Sequence, residues 1–264
     1  MPPARKRTRS YDPARIRAAV LAQFGHLREA VEGLTPEQLA LPTRLADRTV
    51  RELAADIALT YGAVAVALAR PEPPKTDTAL LDWPFSTAGR AGAVGEGTPA
   101  ATEASPDLPA LYARTAGEVE AALAVVSGER LVRTGSGAMR LSDHLVTRAV
   151  ELVVHTDDLA EATGLDIPYE RQALAACVRL LADALAVKAP GGSVELRIPP
   201  YAVVQCVEGP RHTRGTPPNV VETDALTWVR LATGREDWAA ARDAARVSAS
   251  GDRSDLSALL PVMS

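Results

Sequence analysis

Lysine is nearly absent from this chain of 264 residues: it occurs at positions 6, 75 and 188, and arginine supplies the rest of the 29 basic residues. With the heavy use of alanine, this points to a GC-rich genome. Cysteine is scarcer still. Cys177 and Cys206 stand in no CxxC pair, which excludes a disulfide framework and a zinc ribbon. Reduced thiols and cytoplasmic residence are the expectation. No run approaches the roughly 20 uninterrupted apolar residues that span a bilayer. The basic N-terminus is not followed by the apolar stretch an export signal needs. Nor is there an excess of positive charge. The net charge is −4, and setting aside Arg5, Lys6, Arg7 and Arg9 leaves 25 basic against 33 acidic residues. Such a body excludes nucleic acid as the main partner. Gly-rich phosphate loops and a Ser-His-Asp order are also missing. What is present is 47% hydrophobic and 23% charged, enough for one large domain or two ordinary ones. A monomer or weak dimer acting on a small molecule is expected.

Residues 1–10 read as a disordered tail. Asp12-Pro13 starts a helix that carries Ile16, Val20, Phe24, Leu27 and Val31 on one face and closes at Gly33. Thr49-x-x-Glu52 is a capping box, opening a second helix with Val50, Leu53, Ile57, Tyr61, Val64 and Leu68, which Pro71 stops. Between 71 and 104 the chain is rich in Pro, Gly, Ala, Ser and Thr. Its apolar knot (Leu80, Leu81, Trp83, Phe85) is expected to dock, and 88–104 to be mobile. Ser105-Pro106 predicts the start of a third helix, and a fourth runs from about Ser142 to Gly164. These four predict a bundle over 11–165, with a long crossover between the second and third. From 166 to 264 the texture is α+β. A helix covers about 169–188, and strands follow at 193–197, 202–207, 219–222 and 246–250. Asp224 caps a short helix, and an apolar helix ends the chain. The fold class is therefore mainly α with a small α+β domain.

Chemistry concentrates on the fourth helix. Glu151 and His155 stand one turn apart on one face among Leu152, Val153 and Val154, and can hold an ion between them or simply bond each other. Asp56, beside the apolar face of the second helix, is a third ligand if the two helices face. Three protein ligands leave a position open, the catalytic pattern of metal sites. Without an ion, two carboxylates meeting there require one to take up a proton. Asp158 is placed to accept the second ring N–H of His155, and Arg148 to orient Glu151. His26 is read as surface, and His144 is eleven residues from His155, too far for a pair. Arg211, His212 and Arg214 lie in a Gly/Pro-rich loop, either clamping an anion or simply solvated. Cys177, Cys206 and Trp228 are read as core.

The runs Arg48-Thr-Val-Arg-Glu-Leu-Ala-Ala-Asp-Ile57 and Arg148-Ala-Val-Glu-Leu-Val-Val-His-Thr-Asp-Asp-Leu159 resemble the mycothiol-dependent maleylpyruvate isomerase family, DinB-like four-helix bundles of actinobacteria. The resemblance implies a His on the second helix and Glu-x-x-x-His on the fourth around a divalent metal, usually zinc, with mycothiol as thiol cofactor. Glu151 and His155 match. Asp56 stands where the family has His, and Arg48 where it has Trp. Two carboxylates and one imidazole neutralise a divalent ion and shift preference from zinc toward harder ions. Residues 200–222 and 224–234 resemble the bacterial sterol-carrier-like domain that accompanies such bundles. Two functions follow from these resemblances. One is a metal-dependent, mycothiol-using isomerase or thiol transferase acting on a small, carboxylate-bearing electrophile. The other is a non-catalytic carrier of an apolar ligand or lipid with a degraded metal site.

Overall fold

The computed structural model describes residues 9–45, 48–86, 107–210 and 217–263. The expectations for the tail at 1–8, for 88–104, for the Ser105-Pro106 start and for the 211–214 loop lie outside these residues.

The ends of the long helices are set by the residues that cap them. Helix α1 (Pro13–Glu32) begins where the Asp12 carboxylate accepts the Arg15 N–H at 2.8 Å, and Gly33 closes it. After a one-turn α2 (Pro36–Leu39), α3 (Val50–Ala69) opens on the reciprocal Thr49–Glu52 box. A 3₁₀ turn (Leu80–Asp82) leads into the short α4 (Trp83–Ser86). Leu80 and Trp83 of the knot are buried and Leu81 packs half-buried against the core, whereas Phe85 is 40% exposed, so the knot docks through all but its last residue. Helix α5 (Leu108–Ala124) takes Asp107 as its cap, with Pro109 in the first turn, where a missing N–H costs nothing. Helix α6 (Leu141–Thr163) ends at Gly164, whose φ of 72° closes it in the left-handed region.

Helix α6 starts without a side-chain cap because a strand runs straight into it. Strands β1 (Leu131–Thr134) and β2 (Gly137–Arg140) form an antiparallel hairpin that the sequence reading missed. Its turn, Gly135-Ser136, is flanked by Gly137 at φ 124°. A Cβ there would lie 2.0 Å from Thr78 Oγ1 and 2.5 Å from the Asp77 carboxylate, which accepts the Ala138 N–H. Gly137→Ala therefore combines a clash with a strained φ and lowers stability by about 1–3 kcal/mol. Thermal unfolding of Gly137→Ala beside wild type checks this.

Helices α1, α3, α5 and α6 pack as a square, with α1 and α3 each touching both α5 and α6. Phe24 stacks on Tyr61 at 3.9 Å and on Tyr112 at 5.0 Å in the middle of it. The Tyr112 hydroxyl donates to the Ala54 carbonyl at 2.9 Å, fixing α3 two residues before Asp56. By length and composition α3 is apolar enough to cross a membrane, the one such helix among the described residues. More than half of the window that passes this test is buried inside the protein, as in the central helix of a bundle.

Helix α7 (Arg171–Lys188), capped by Glu170, packs on α1 and α6 and also on the C-terminal sheet. One hydrophobic core therefore runs from the bundle into that layer. The sheet comprises β3 (Val194–Ile198), β4 (Ala202–Cys206), β5 (Val220–Thr223) and, later, β6 (Val247–Ser250), in the order β4-β3-β5-β6. The predicted hairpin pairs Val194 with Cys206 through Ile198 with Ala202, and β3 lies parallel to β5. Helix α8 (Ala225–Ala232) carries Trp228 into the core, where its indole N–H donates to Val178. A further helix, α9 (Trp238–Asp243), precedes β6 and was not anticipated. Among the described residues, the expected terminal helix is only a 3₁₀ turn at Ser257–Leu259.

Candidate functional site

A cavity of about 670 Å³ opens between α3 and α6. Helical spacing builds its floor. Asp56, Thr60, Ala63 and Ala67 recur at three- and four-residue steps on α3, facing His144, Thr147, Arg148, Glu151 and His155 on α6. Leu45 and Arg48 close one side, the turn Gly135-Ser136 another, and Arg235 and Met263 enter from the C-terminal layer.

The three expected ligands all line this cavity, yet each is already engaged. Arg48 Nη1 donates to Asp56 Oδ2 at 3.1 Å. Arg148 Nη1 lies 2.6 Å from Glu151 Oε2, at an angle that makes an ion pair without a directed hydrogen bond. Burial pushes the Glu151 carboxyl above its ordinary value. Arg148 and then His155 pull the other way, and Asp56 adds a smaller push upward. Burial thus favours the protonated form of Glu151.

His155 donates its Nδ1–H to Asp158 Oδ2 at 3.0 Å, so in the neutral ring the lone pair is on Nε2. Asp158 is fully buried and is the centre of a larger arrangement that the sequence reading did not foresee. Arg44, from the segment before α3, donates to Asp158 at 2.7 Å and also to Asp157. Arg235 donates to both Asp158 oxygens at 2.9 Å, and Arg230 of α8 grips Asp157 through two nitrogens. Burial works to raise the Asp158 carboxyl, but His155 and Arg235 outweigh it and hold it well below the usual carboxylate range. Nothing in local spacing could reveal partners more than 70 residues away. The adjacent acid pair Asp157-Asp158 on a buried helix was the available signal.

His144 sits in the cavity wall, 4% exposed, and its Nε2 has no hydrogen-bond partner among the described residues. Burial, followed by the neighbouring Arg148, pulls its pKa well below 6.5. The unfolded chain takes up this proton below about pH 6.5 and the folded one does not. Stability is therefore lost as pH falls from there, by up to about 1.4 kcal/mol per pH unit. His144→Gln is expected to flatten that slope between about pH 6.5 and 5, read as urea unfolding at several pH values. Cys177 and Cys206 are buried, and burial raises the Cys177 thiol, which removes it as a nucleophile. His26 is half-buried on α1, away from the cavity.

The family of mycothiol maleylpyruvate isomerase N-terminal domains matches residues 20–160, more than half of the chain. The chain belongs to this family. Residues 170–262 match the bacterial sterol-carrier-protein orthologue family. A crystal structure of mycothiol-dependent maleylpyruvate isomerase superposes with a TM-score of 0.58 at 20% identity, covering 91% of this chain and 93% of that one. A histidine-to-alanine mutant of mycothiol-dependent maleylpyruvate isomerase gives 0.56 at 19%, with the same coverage. At these identities the likeness shows a shared fold. No curated protein matches the chain.

Within this mycothiol maleylpyruvate isomerase N-terminal fold, the divalent ion implied by the resemblance can be tested against the donors present. Among the described residues, no three His, Cys, Asp or Glu side chains come close enough together to hold a metal ion. Two guanidiniums already neutralise the two carboxylates a dication would need. In this arrangement Asp56, Glu151 and His155 do not fit a divalent ion. Arg48 is the residue that takes up the Asp56 carboxylate. It lies eight positions before Asp56, outside any helical spacing rule, because it reaches back over the first turn of α3 from outside the helix.

Proposed function

We propose that the chain is a mycothiol-using isomerase or thiol transferase acting on a small electrophile that carries a carboxylate. The observation that supports this best is the arginine content of the cavity. Arg48, Arg148 and Arg235 line it together with Arg70 and Arg133. Guanidiniums offer the planar forks that carboxylates accept, and a cavity of this size suits a small molecule rather than an extended lipid.

When bound, mycothiol supplies a thiol nucleophile able to add reversibly to an activated double bond. The residues of this chain do the remaining work. His155, its Nδ1–H fixed on Asp158, offers Nε2 to take a proton from the thiol and later return it. Arg148, braced by the Thr147 hydroxyl and the Thr60 carbonyl, presents its charge in a set orientation. It can hold a carboxylate of the substrate while also restraining Glu151. Arg235, locked on Asp158, brings a second fixed charge from the C-terminal layer, so that layer contributes to the wall of the site. Trp83, Met139 and Val154 exclude water from the apolar side.

Calorimetric titration separates this reading from an apolar-ligand carrier. Maleate is expected to bind to the wild type and to bind about tenfold more weakly to Arg148→Met, the loss of one charge-assisted contact. Saturable binding of dodecanoate with no response to maleate would instead identify a carrier.

A further inference from the structure

We propose that the Arg48–Asp56 ion pair replaces the divalent ion at this site. A guanidinium fixed on α3 supplies positive charge, and the position receives an anionic group instead of a metal. The two places where this chain departs from the pattern of the family it resembles are in contact with each other, Arg48 Nη1 to Asp56 Oδ2 at 3.1 Å. They act as one change. Asp in place of His alone would bury a carboxylate, since Asp56 is 7% exposed, without the guanidinium that offsets its charge here. Arg in place of Trp alone would put a cation beside the lone pair of a metal ligand. Together the two leave the net charge unchanged and turn a metal donor into half of an ion pair.

The rest of the wall carries the same conversion. Glu151 is already matched by Arg148, whose Nη1 lies 2.6 Å from Glu151 Oε2, so its charge is taken up by a guanidinium as that of Asp56 is. His155 keeps its place through Asp158, so its imidazole stays available for proton transfer without a metal. Arg48 lies in the cavity wall with Asp56 as its side-chain hydrogen-bond partner among the described residues. A guanidinium has five N–H donors, so one such bond leaves capacity for an incoming anion. The inference deepens the function proposed above, since it assigns the positive charge that thiol chemistry needs to Arg48. It is nevertheless read without turnover.

The test is zinc titration of intact, chelator-treated protein, with bound metal measured by elemental analysis after gel filtration. The wild type is expected to retain less than about 0.1 equivalent. Arg48→Met, which deletes the cation beside Asp56, is expected to bind zinc at least about tenfold more tightly than wild type. The double variant Arg48→Trp, Asp56→His is expected to approach one equivalent, and His155→Ala in that background to lose it. Should the double variant not fold, Arg48→Met alone decides, with circular dichroism confirming its fold. Near-stoichiometric zinc in the wild type, lost on His155→Ala and indifferent to Arg48→Met, would overturn the proposal while leaving thiol-dependent turnover untouched. Absence of turnover with the expected zinc results would overturn the functional reading and leave this one standing.

Discussion

Asp158→Ala is expected to lower the stability of the protein by about 3–5 kcal/mol, the largest effect of any single substitution considered. Removing one member of a buried ionic cluster leaves its partners without compensation, and that magnitude is typical of such losses. Three groups lose their anchor at once: Arg44 from the bundle, Arg235 from the C-terminal layer and Nδ1 of His155. Asp157 retains Arg44 and Arg230, so the two halves stay joined, but less firmly. Asp158→Asn keeps the shape and is expected to recover part of the loss. The pH dependence carries the sign of a depressed carboxyl. The stabilisation is complete above about pH 3.8, the ordinary value, and is lost as pH falls further toward the folded-state pKa. Asp158→Ala should therefore differ most from wild type near neutrality, and the gap should narrow in acid. Denaturant unfolding at pH 7 and pH 3 measures both statements.

His155→Gln is expected to reduce thiol-dependent turnover by about 10²–10⁴, the range for loss of a positioned general base. Glutamine spans a similar length and can still hydrogen-bond to Asp158, so stability should change by less than about 1 kcal/mol. A structural role alone would give the reverse, lost stability with turnover per folded molecule preserved. Binding of maleate, which relies on arginines, should change little.

Both predictions rest on an arrangement that the chain announces only in part. Helix ends were legible because caps are local chemistry: Asp12, the Thr49–Glu52 box, Gly164 and Asp224 each satisfy backbone groups within four residues of themselves. The stripe on α6 was legible for the same reason, since a period of 3.6 puts Glu151 and His155 on one face. The β1–β2 hairpin was not, because Leu131–Arg140 has no sustained alternation and owes its place to the Asp77 and Thr78 side chains, about 60 residues away. The Asp157–Asp158 cluster was hidden in the same way, its arginines coming from both ends of the chain. Arg48 was visible as a departure from the family pattern, but its contact with Asp56 depends on how the chain enters α3. That contact changes the site from one expected to hold a metal to one matched by guanidiniums.

The central claim is that this cavity performs thiol-dependent chemistry on an anionic substrate with charge supplied by arginine. The most direct measurement is cis-to-trans conversion of an unsaturated keto diacid by chelator-treated wild-type protein, followed by proton NMR with and without mycothiol. Conversion that requires mycothiol and persists in the chelator is the predicted result. Conversion that stops in the chelator and returns with zinc, or no conversion at all, would contradict the account.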